Sequence, residues 1–230
     1  MNQEIRLFGA IAIRPAVLAL IPRFEAATGL TVAAKWEVNP TVKKQIDAGE
    51  PFDLVIINPP MVDDLIASGK VEPGSHVAFG RIGMGVAARA SSRPLDIGSV
   101  KAFKHALRSA GSIAYASDGS SGAYFSGLLD RLGIADEVKP KLVAAPGGQT
   151  AAAVGRGEAE LGVVPVTSIL AAEPDVMLVG RFPAELQSYI DFAIGIGASA
   201  RDAEAARQLS EFLASAAIDD LLAAKGVERL

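Results

Sequence analysis

Short apolar runs alternate with stretches whose apolar positions recur at helical spacing, almost from one end of the chain to the other. EIRLFGA (4–10), TVAAKWEV (31–38) and FDLVIIN (52–58) read as strands, the last as a buried parallel strand because its apolar run is continuous. Between them, RPAVLALIPRFEAATGL (14–30) places Val17, Ile21 and Phe24 on one helical face. Pro15 suits the first helical turn and Gly29 a left-handed terminator, whereas Pro22 predicts a kink or a restart. NPTVKKQIDAGEP (39–51) predicts a short helix with Asn39 as N-cap, Pro40 as first helical residue and Gly49 as terminator. MVDDLIASGKV (61–71) is a further helix.

The second half repeats the alternation. HVAFGRIGMGVAARA (76–90) reads as a strand bent or twisted by Gly80, Gly83 and Gly85. VKAFKHALRSA (100–110) predicts a surface helix, SIAYAS (112–117) a strand, and 122–132 a helix opened by the turn SDGSSG. KLVAA (141–145) and ELGVVPVTSIL (160–170) contain strands, separated by the turn PGGQ and a short helix over 150–159. VMLVGRFP (176–183) follows, then a second glycine-bearing strand, YIDFAIGIGA (189–198), and a terminal helix or helix pair over 202–227. Strand–helix alternation predicts an α/β fold with mostly parallel sheets and right-handed crossovers. The two glycine-bearing strands bracket the middle third and predict two crossings of a hinge. Lobe 1 is then 1–79 plus 195–230, and lobe 2 is 80–194.

Composition narrows the chemistry. With 230 residues, half of them hydrophobic, the chain can build one large or two small cores. A net charge of −4, without a basic run or an aromatic platform, argues against nucleic acid as partner. The absence of cysteine excludes thiolate catalysis and Cys-ligated zinc, and His76 and His105 lack carboxylates at metal-ligand spacing. No metal or organic cofactor is implied. No apolar run is long enough to span a bilayer, so membrane insertion is not expected. MNQEIRLFGAIAI has no basic, apolar and small-residue leader pattern, which fits a cytosolic protein or an exported one whose leader was removed.

In open α/β sheets ligands sit beyond the carboxyl ends of the strands, at helix starts. Those turns hold Ala10, Ile11 and Ala12 after the first strand, Asn39 and Thr41 after the second, and Asn58 after the third. In the second half they hold Ser117, Gly119, Ser120, Ser121 and Gly122, then Gly147, Gly148 and Gln149, then Pro165. Helix starts present unpaired N–H groups, and small residues let an anion approach the backbone. SDGSSG and PGGQT therefore read either as capped turns or as oxyanion nests. No Lys follows a G-x-x-x-x-G spacing, and GAIAIR is not a dinucleotide fingerprint, so nucleotide is not the expected ligand. Arg81 and Tyr189 stand at the proposed crossings, Arg81 able to reach a carboxylate bidentately or to form a hinge ion pair.

The segment order, with LALIPRFEAATGLTV, VKKQIDAGEPFDLVIINPPMVDDLIASGKV and AAAVGRGEAELGVVPVTSIL, resembles the type II periplasmic solute-binding proteins in the branch that binds molybdate. The resemblance covers nearly the whole chain. It implies a two-lobed fold, each lobe a mostly parallel sheet flanked by helices, joined by two hinge crossings, with a small anion buried between the lobes. It also implies an ABC transporter permease as partner, a monomer, and a periplasmic location for the exported form. The family's contact turns differ here. Ala12 or a neighbour stands in place of a serine, Asn39 and Thr41 replace a Ser-Ser-Gly turn, and Pro165 replaces a tyrosine. SDGSSGAYF (117–125) and PAELQSY (183–189) resemble more closely the aconitate isomerases, enzymes of the same branch. That resemblance implies proton transfer on an unsaturated tricarboxylate, with Asp118, Tyr124 and Tyr189 as candidate catalytic residues. The leading expectation is a solute-binding protein for a small anion, either a molybdate-like oxyanion or a small carboxylate. The alternatives are an isomerase and a cytosolic ligand-sensing module.

Overall fold

The computed structural model describes residues 4–230, so residues 1–3 of the expected first lobe lie outside the described residues. In chain order the elements are β1 (Glu4–Ala10), α1 (Arg14–Thr28), β2 (Thr31–Glu37), α2 (Asn39–Asp47), β3 (Leu54–Ile57), α3 (Pro59–Ala67) and β4 (Val77–Arg89). Then come α4 (Val100–Ser109), β5 (Ile113–Ala116), α5 (Ser120–Arg131), α6 (Ala135–Val138), β6 (Leu142–Ala145), α7 (Thr150–Gly155), β7 (Leu161–Pro165) and α8 (Val166–Leu170). The chain ends with β8 (Val176–Arg181), β9 (Tyr189–Ile196), α9 (Ala203–Ala214), α10 (Asp219–Ala224) and β10 (Val227–Glu228). Two compact units result: one runs to Arg81 and resumes at Asp191, and the other is Ile82–Ile190. The chain passes between them within β4 and within β9, the two glycine-bearing strands.

In the first unit β1 is central. It pairs in parallel with β2, from Glu4↔Thr31 to Ala10↔Glu37, and with β3, from Leu7↔Leu54 to Gly9↔Ile56. β9 closes this set against β3 in the antiparallel sense, Leu54↔Ile196 to Ile57↔Ala193. Phe8, Val42, Ile46, Phe52, Val55, Ile57, Val62 and Leu65 form the core that α2 and α3 cover. Helix α1 continues through Pro22, contrary to the expected kink or restart. The N–H that Pro22 lacks would have bonded the carbonyl of Leu18. Leu18 is 41% exposed and Pro22 is also exposed, so this face of the helix is wet and water can take that acceptor. Gly29 does adopt the left-handed conformation, φ 74°, and its N–H bonds the carbonyl of Glu25.

One carboxylate ties the first unit together. Asp53 is 1% exposed and stands just before β3. Its Oδ2 accepts from the backbone N–H of Arg6 at 2.8 Å and from Arg6 Nε at 2.9 Å. Its Oδ1 accepts from Arg6 Nη2 at 2.6 Å and from the N–H of Arg201 at 2.7 Å. Burial pushes this carboxyl up, but the guanidinium of Arg6 and the two backbone donors outweigh it, so its pKa lies below the usual value. The pKa of Arg6 is raised by the same hydrogen bond. At the far end of the unit Arg229 donates to Asp219 Oδ1 at 2.8 Å and to the carbonyls of Phe79, Leu213 and Ser215, which fastens the chain end to β4.

In the second unit β5 is central. It pairs in parallel with β6 and with β7, and β4 runs antiparallel to β7 on one side and to β8 on its other. Phe103, Phe125, Leu128, Leu129, Val86 and Val163 belong to one core, with the rings of Phe103 and Phe182 edge to face at 4.7 Å. Ala87, Ala151, Val164, Ile169 and Val176 form a second, smaller core. Helix α5 turns back so tightly after β5 that a Cβ on Gly122 would lie 1.6 Å from the carbonyl oxygen of Ala116. Backbone cannot yield as a side chain can, so only glycine fits there.

Removing the charge of Asp53 in Asp53→Asn leaves the Arg6 guanidinium without its anion, and urea unfolding should show a loss of about 3–5 kcal/mol at neutral pH. Because the folded-state carboxyl is depressed, its contribution is complete above the unfolded value of about 3.9 and fades as pH falls below it through the folded value. The gap between wild type and variant should therefore close in that acid range. Gly122→Ala should cost about 1–3 kcal/mol by overpacking, measured in the same way.

Candidate solute-binding turns

Parallel pairing decides which turns meet. β5, β6 and β7 all point one way, so the turns that follow Ala116, Ala145 and Pro165 emerge on one edge of the second unit. The turn after β5 is central, since β5 lies between the other two. Ser117 N–H bonds the carbonyl of Ala145 at 3.2 Å, and Asp118 Oδ1 accepts from the N–H of Gly147 at 2.9 Å. SDGSSG and PGGQT, 29 residues apart at that bond, are thus pinned to one another.

Within SDGSSG, Gly119 is the N-cap of α5 in an extended conformation, and no side chain caps the helix. The first-turn N–H groups therefore receive no oxygen from a capping side chain, a condition under which a helix start suits an anion. Ser117 and Ser120 are exposed, and Ser121 is 8% exposed. Gly122 serves the close packing described above. In PGGQT, the N–H of Gly147 is engaged by Asp118 and that of Gln149 by the carbonyl of Pro146. Gly148 is exposed in the left-handed conformation, φ 79°. Thr150, the first residue of α7, is 2% exposed, and its Oγ1 has no hydrogen-bond partner among the described residues. A buried hydroxyl without a partner is costly, which makes it a donor in want of an acceptor.

Parallel pairing acts on the first unit in the same way, bringing the turns after β1, β2 and β3 to one edge. Here the candidate groups largely hold one another. The N–H of Ile11 bonds the carbonyl of Glu37 at 2.8 Å, and Ala10 is 1% exposed. Ala12 is half-buried. Asn39 is not the N-cap of α2, as the sequence pattern suggests, but its first helical residue, with Val38 as N-cap. Its side chain is buried instead of capping, and Oδ1 accepts from the N–H of Asn58 at 3.3 Å. Asn58 Nδ2 donates to the carbonyl of Asp191 at 2.8 Å. Thr41 is half-buried in the first turn of α2, and its N–H bonds Val38. The ring of Trp36 lies over Gly9, where a Cβ would approach it to 2.2 Å.

The remaining candidates are dispersed. Arg81 Nε reaches Glu228 Oε2 at 3.2 Å, the ion-pair alternative of the two considered for it. Pro165 is buried at the end of β7 and is the N-cap of α8. Tyr124 donates its hydroxyl to the carbonyl of Leu186 at 2.8 Å, with the guanidinium of Arg131 5.1 Å from its ring centre. Tyr189 opens β9 and is 40% exposed. Gln187 was not singled out from the sequence, yet it clamps β4. Its Oε1 accepts from the N–H of Met84 at 2.8 Å and its Nε2 donates to the carbonyl of Met84 at 3.1 Å. A contact between residues 103 apart leaves no local signal in the sequence. Among the described residues no group of three or more His, Cys, Asp or Glu is placed to hold a metal, and no helix is long and apolar enough to cross a membrane.

The sequence and the fold have counterparts in known proteins. The family model of bacterial extracellular solute-binding proteins matches residues 5–228. An aconitate isomerase from a Pseudomonas species is 34% identical over 200 residues, covering 84% of this chain and 76% of that protein. The molybdate-binding protein ModA of Escherichia coli K12 is 25% identical over 198 residues, covering 84% of this chain and 77% of the relative. Among solved structures, the periplasmic molybdate-binding protein of Azotobacter vinelandii superposes with a TM-score of 0.81 at 20% identity, covering 97% of this chain and 98% of the other. The sulfate-binding protein SubI of Mycobacterium tuberculosis gives 0.76 at 19% identity, covering 100% and 88%. The α/β fold of two units joined by two chain crossings is that of the type II periplasmic binding proteins, and the chain belongs to the bacterial extracellular solute-binding protein family.

Proposed function

We propose that this protein binds a small carboxylate-bearing anion through the paired turns SDGSSG and PGGQT. The observation that carries this reading is the bond from Gly147 N–H to Asp118, which holds two donor-rich turns side by side on one edge of the second unit. The uncapped start of α5, the hydroxyls of Ser117, Ser120 and Ser121, and the orphaned hydroxyl of Thr150 are the donors. Asp118 acts as a brace: its carboxylate orients the glycine turn while the neighbouring amides and hydroxyls meet the solute. Carboxylate is preferred over molybdate for two reasons. Ala12, Asn39, Thr41 and Pro165 depart from the molybdate pattern, and the isomerase is more similar in sequence than the molybdate binder. In the transport setting of the family, the partner is an ABC-type importer and the compartment the periplasm.

The similarity to aconitate isomerase favours a second reading, in which the bound anion is also changed. A base would take a proton from the methylene of cis-aconitate. The double bond would migrate through an allylic carbanion held by donors on its carboxylates, and the proton would return at the far carbon. Asp118 and Tyr189 are exposed, while Tyr124 would first have to leave the carbonyl of Leu186.

Citrate or aconitate at a hundred times its Kd should raise unfolding stability by about 2.7 kcal/mol, seen as a higher Tm. Molybdate and sulfate should raise it less. No stabilisation by any of the four would overturn the binding reading. Ser120→Ala with Ser121→Ala should weaken binding by about a hundredfold or more, since each of the two lost hydrogen bonds to a charged group is worth about 1.5–3 kcal/mol. Following cis-aconitate by proton NMR separates the two readings: trans-aconitate appears under the second, and binding without conversion leaves the first.

A further inference from the structure

The second unit carries a cavity of about 530 Å³ that the paired turns do not use. It opens at the amino ends of β5 and β7, the edge opposite to SDGSSG and PGGQT. Arg89, Arg93, Ser92, Ser112 and Glu160 supply its polar groups, and Pro94, Leu95 and Leu161 its apolar wall.

The charges of this cavity are unbalanced. Arg89 and Arg93 have no acidic partner among the described residues. Of the two nearby acids, Glu158 is engaged elsewhere and Glu160 stays in the wall, so the two arginines outnumber the one carboxylate of the cavity. Glu158 is paired with Arg156 through two bonds of 2.6 and 3.1 Å. Glu160 accepts from the N–H of Gly111 at 2.7 Å, and its own N–H is held by Ser112 Oγ at 3.0 Å. Ser112, acting there as acceptor, keeps its hydroxyl hydrogen for another partner. The turn from Arg89 to Ser92 is closed by a backbone bond of 2.9 Å, so both arginines spring from one short fixed segment. Gly157 positions one of them. It is left-handed, φ 79°, and Arg89 Nη1 lies only 2.8 Å from where a Cβ would stand. Glycine at that turn lets the guanidinium settle against the backbone at the cavity wall.

Two guanidinium forks and two serine hydroxyls form a donor set suited to an oxyanion with several acceptor oxygens. Arginine matches phosphate in bidentate fashion better than lysine does. The apolar wall and the volume leave room for an organic portion. We propose that this cavity is a second anion site, which takes the phosphate group of a small phosphate monoester, with Arg89 and Arg93 as its clamps and Ser112 as an added donor. The site is independent of the solute-binding reading, being built from other residues on the opposite edge.

The test uses the whole chain carrying Ser120→Ala and Ser121→Ala, which weakens the paired turns and leaves this cavity intact. Isothermal titration with glycerol phosphate, inorganic phosphate and acetate should show one saturable site for the phosphates, tighter for the monoester, and none for acetate. Arg89→Gln and Arg93→Gln should each weaken it by about tenfold, with urea unfolding unchanged because both side chains are exposed. In the unaltered protein, the Nε–H resonances of two arginines should shift on phosphate addition, a readout that needs no variant. Absence of saturable phosphate binding, equal affinity for acetate, or affinity unchanged in both arginine variants would overturn the proposal. Phosphate binding in this variant, together with failure of citrate to bind the unaltered protein, would count against the paired turns only.

Discussion

Parallel strand pairing is the constraint on which the account rests. A turn of six small residues has no function by position in the sequence. It becomes a candidate site when β5 is flanked by β6 and β7 in the parallel sense, because the turns after all three strands then share an edge. The bond from Gly147 to Asp118 fixes that juxtaposition locally, and the absence of a Cβ at Gly122 lets α5 pack against the carbonyl of Ala116. The same glycine that looks like part of an anion nest in the sequence is, in the fold, a packing residue that lets α5 lie against the carbonyl of Ala116.

The two units solve the same problem with different balances. In the first unit the strand-end groups spend their hydrogen bonds on one another: Ile11 on Glu37, Asn58 on Asn39 and on Asp191. A buried carboxylate, Asp53, supplies rigidity by accepting from Arg6 and Arg201 at the start of β3. In the second unit Ser117 and Ser120 stay exposed and the Thr150 hydroxyl is an orphaned donor, while the start of α5, like those of α1, α2 and α3, has no side-chain cap. Unspent donors mark where a solute is expected, since a buried polar group without a partner is costly to keep.

Much of the fold was legible in the sequence, because its signals are local. Continuous apolar runs marked β3 and β7, and Gly29 marked the end of α1. The misreadings were also local in origin. Asn39 looked like an N-cap by residue type, but burial against Asn58 drew its side chain away from the helix start. Pro22 looked like a breaker, but it falls on the wet face, where the lost hydrogen bond is tolerated. Long-range contacts left no trace: Arg6 with Asp53 across 47 residues, Asp118 with Gly147 across 29, and Gln187 with Met84 across 103. The candidate turns could be named in advance, but not their pairing, nor which of their amides are already engaged.

The most direct measurement is a backbone amide NMR titration of the intact protein with citrate. The account predicts that the amides of Ser120, Ser121 and Gly148 shift most and saturate together with one Kd, while Gly147, held by Asp118, moves little. Shifts confined to other surfaces, or amides of the two turns that respond with different affinities, would contradict it.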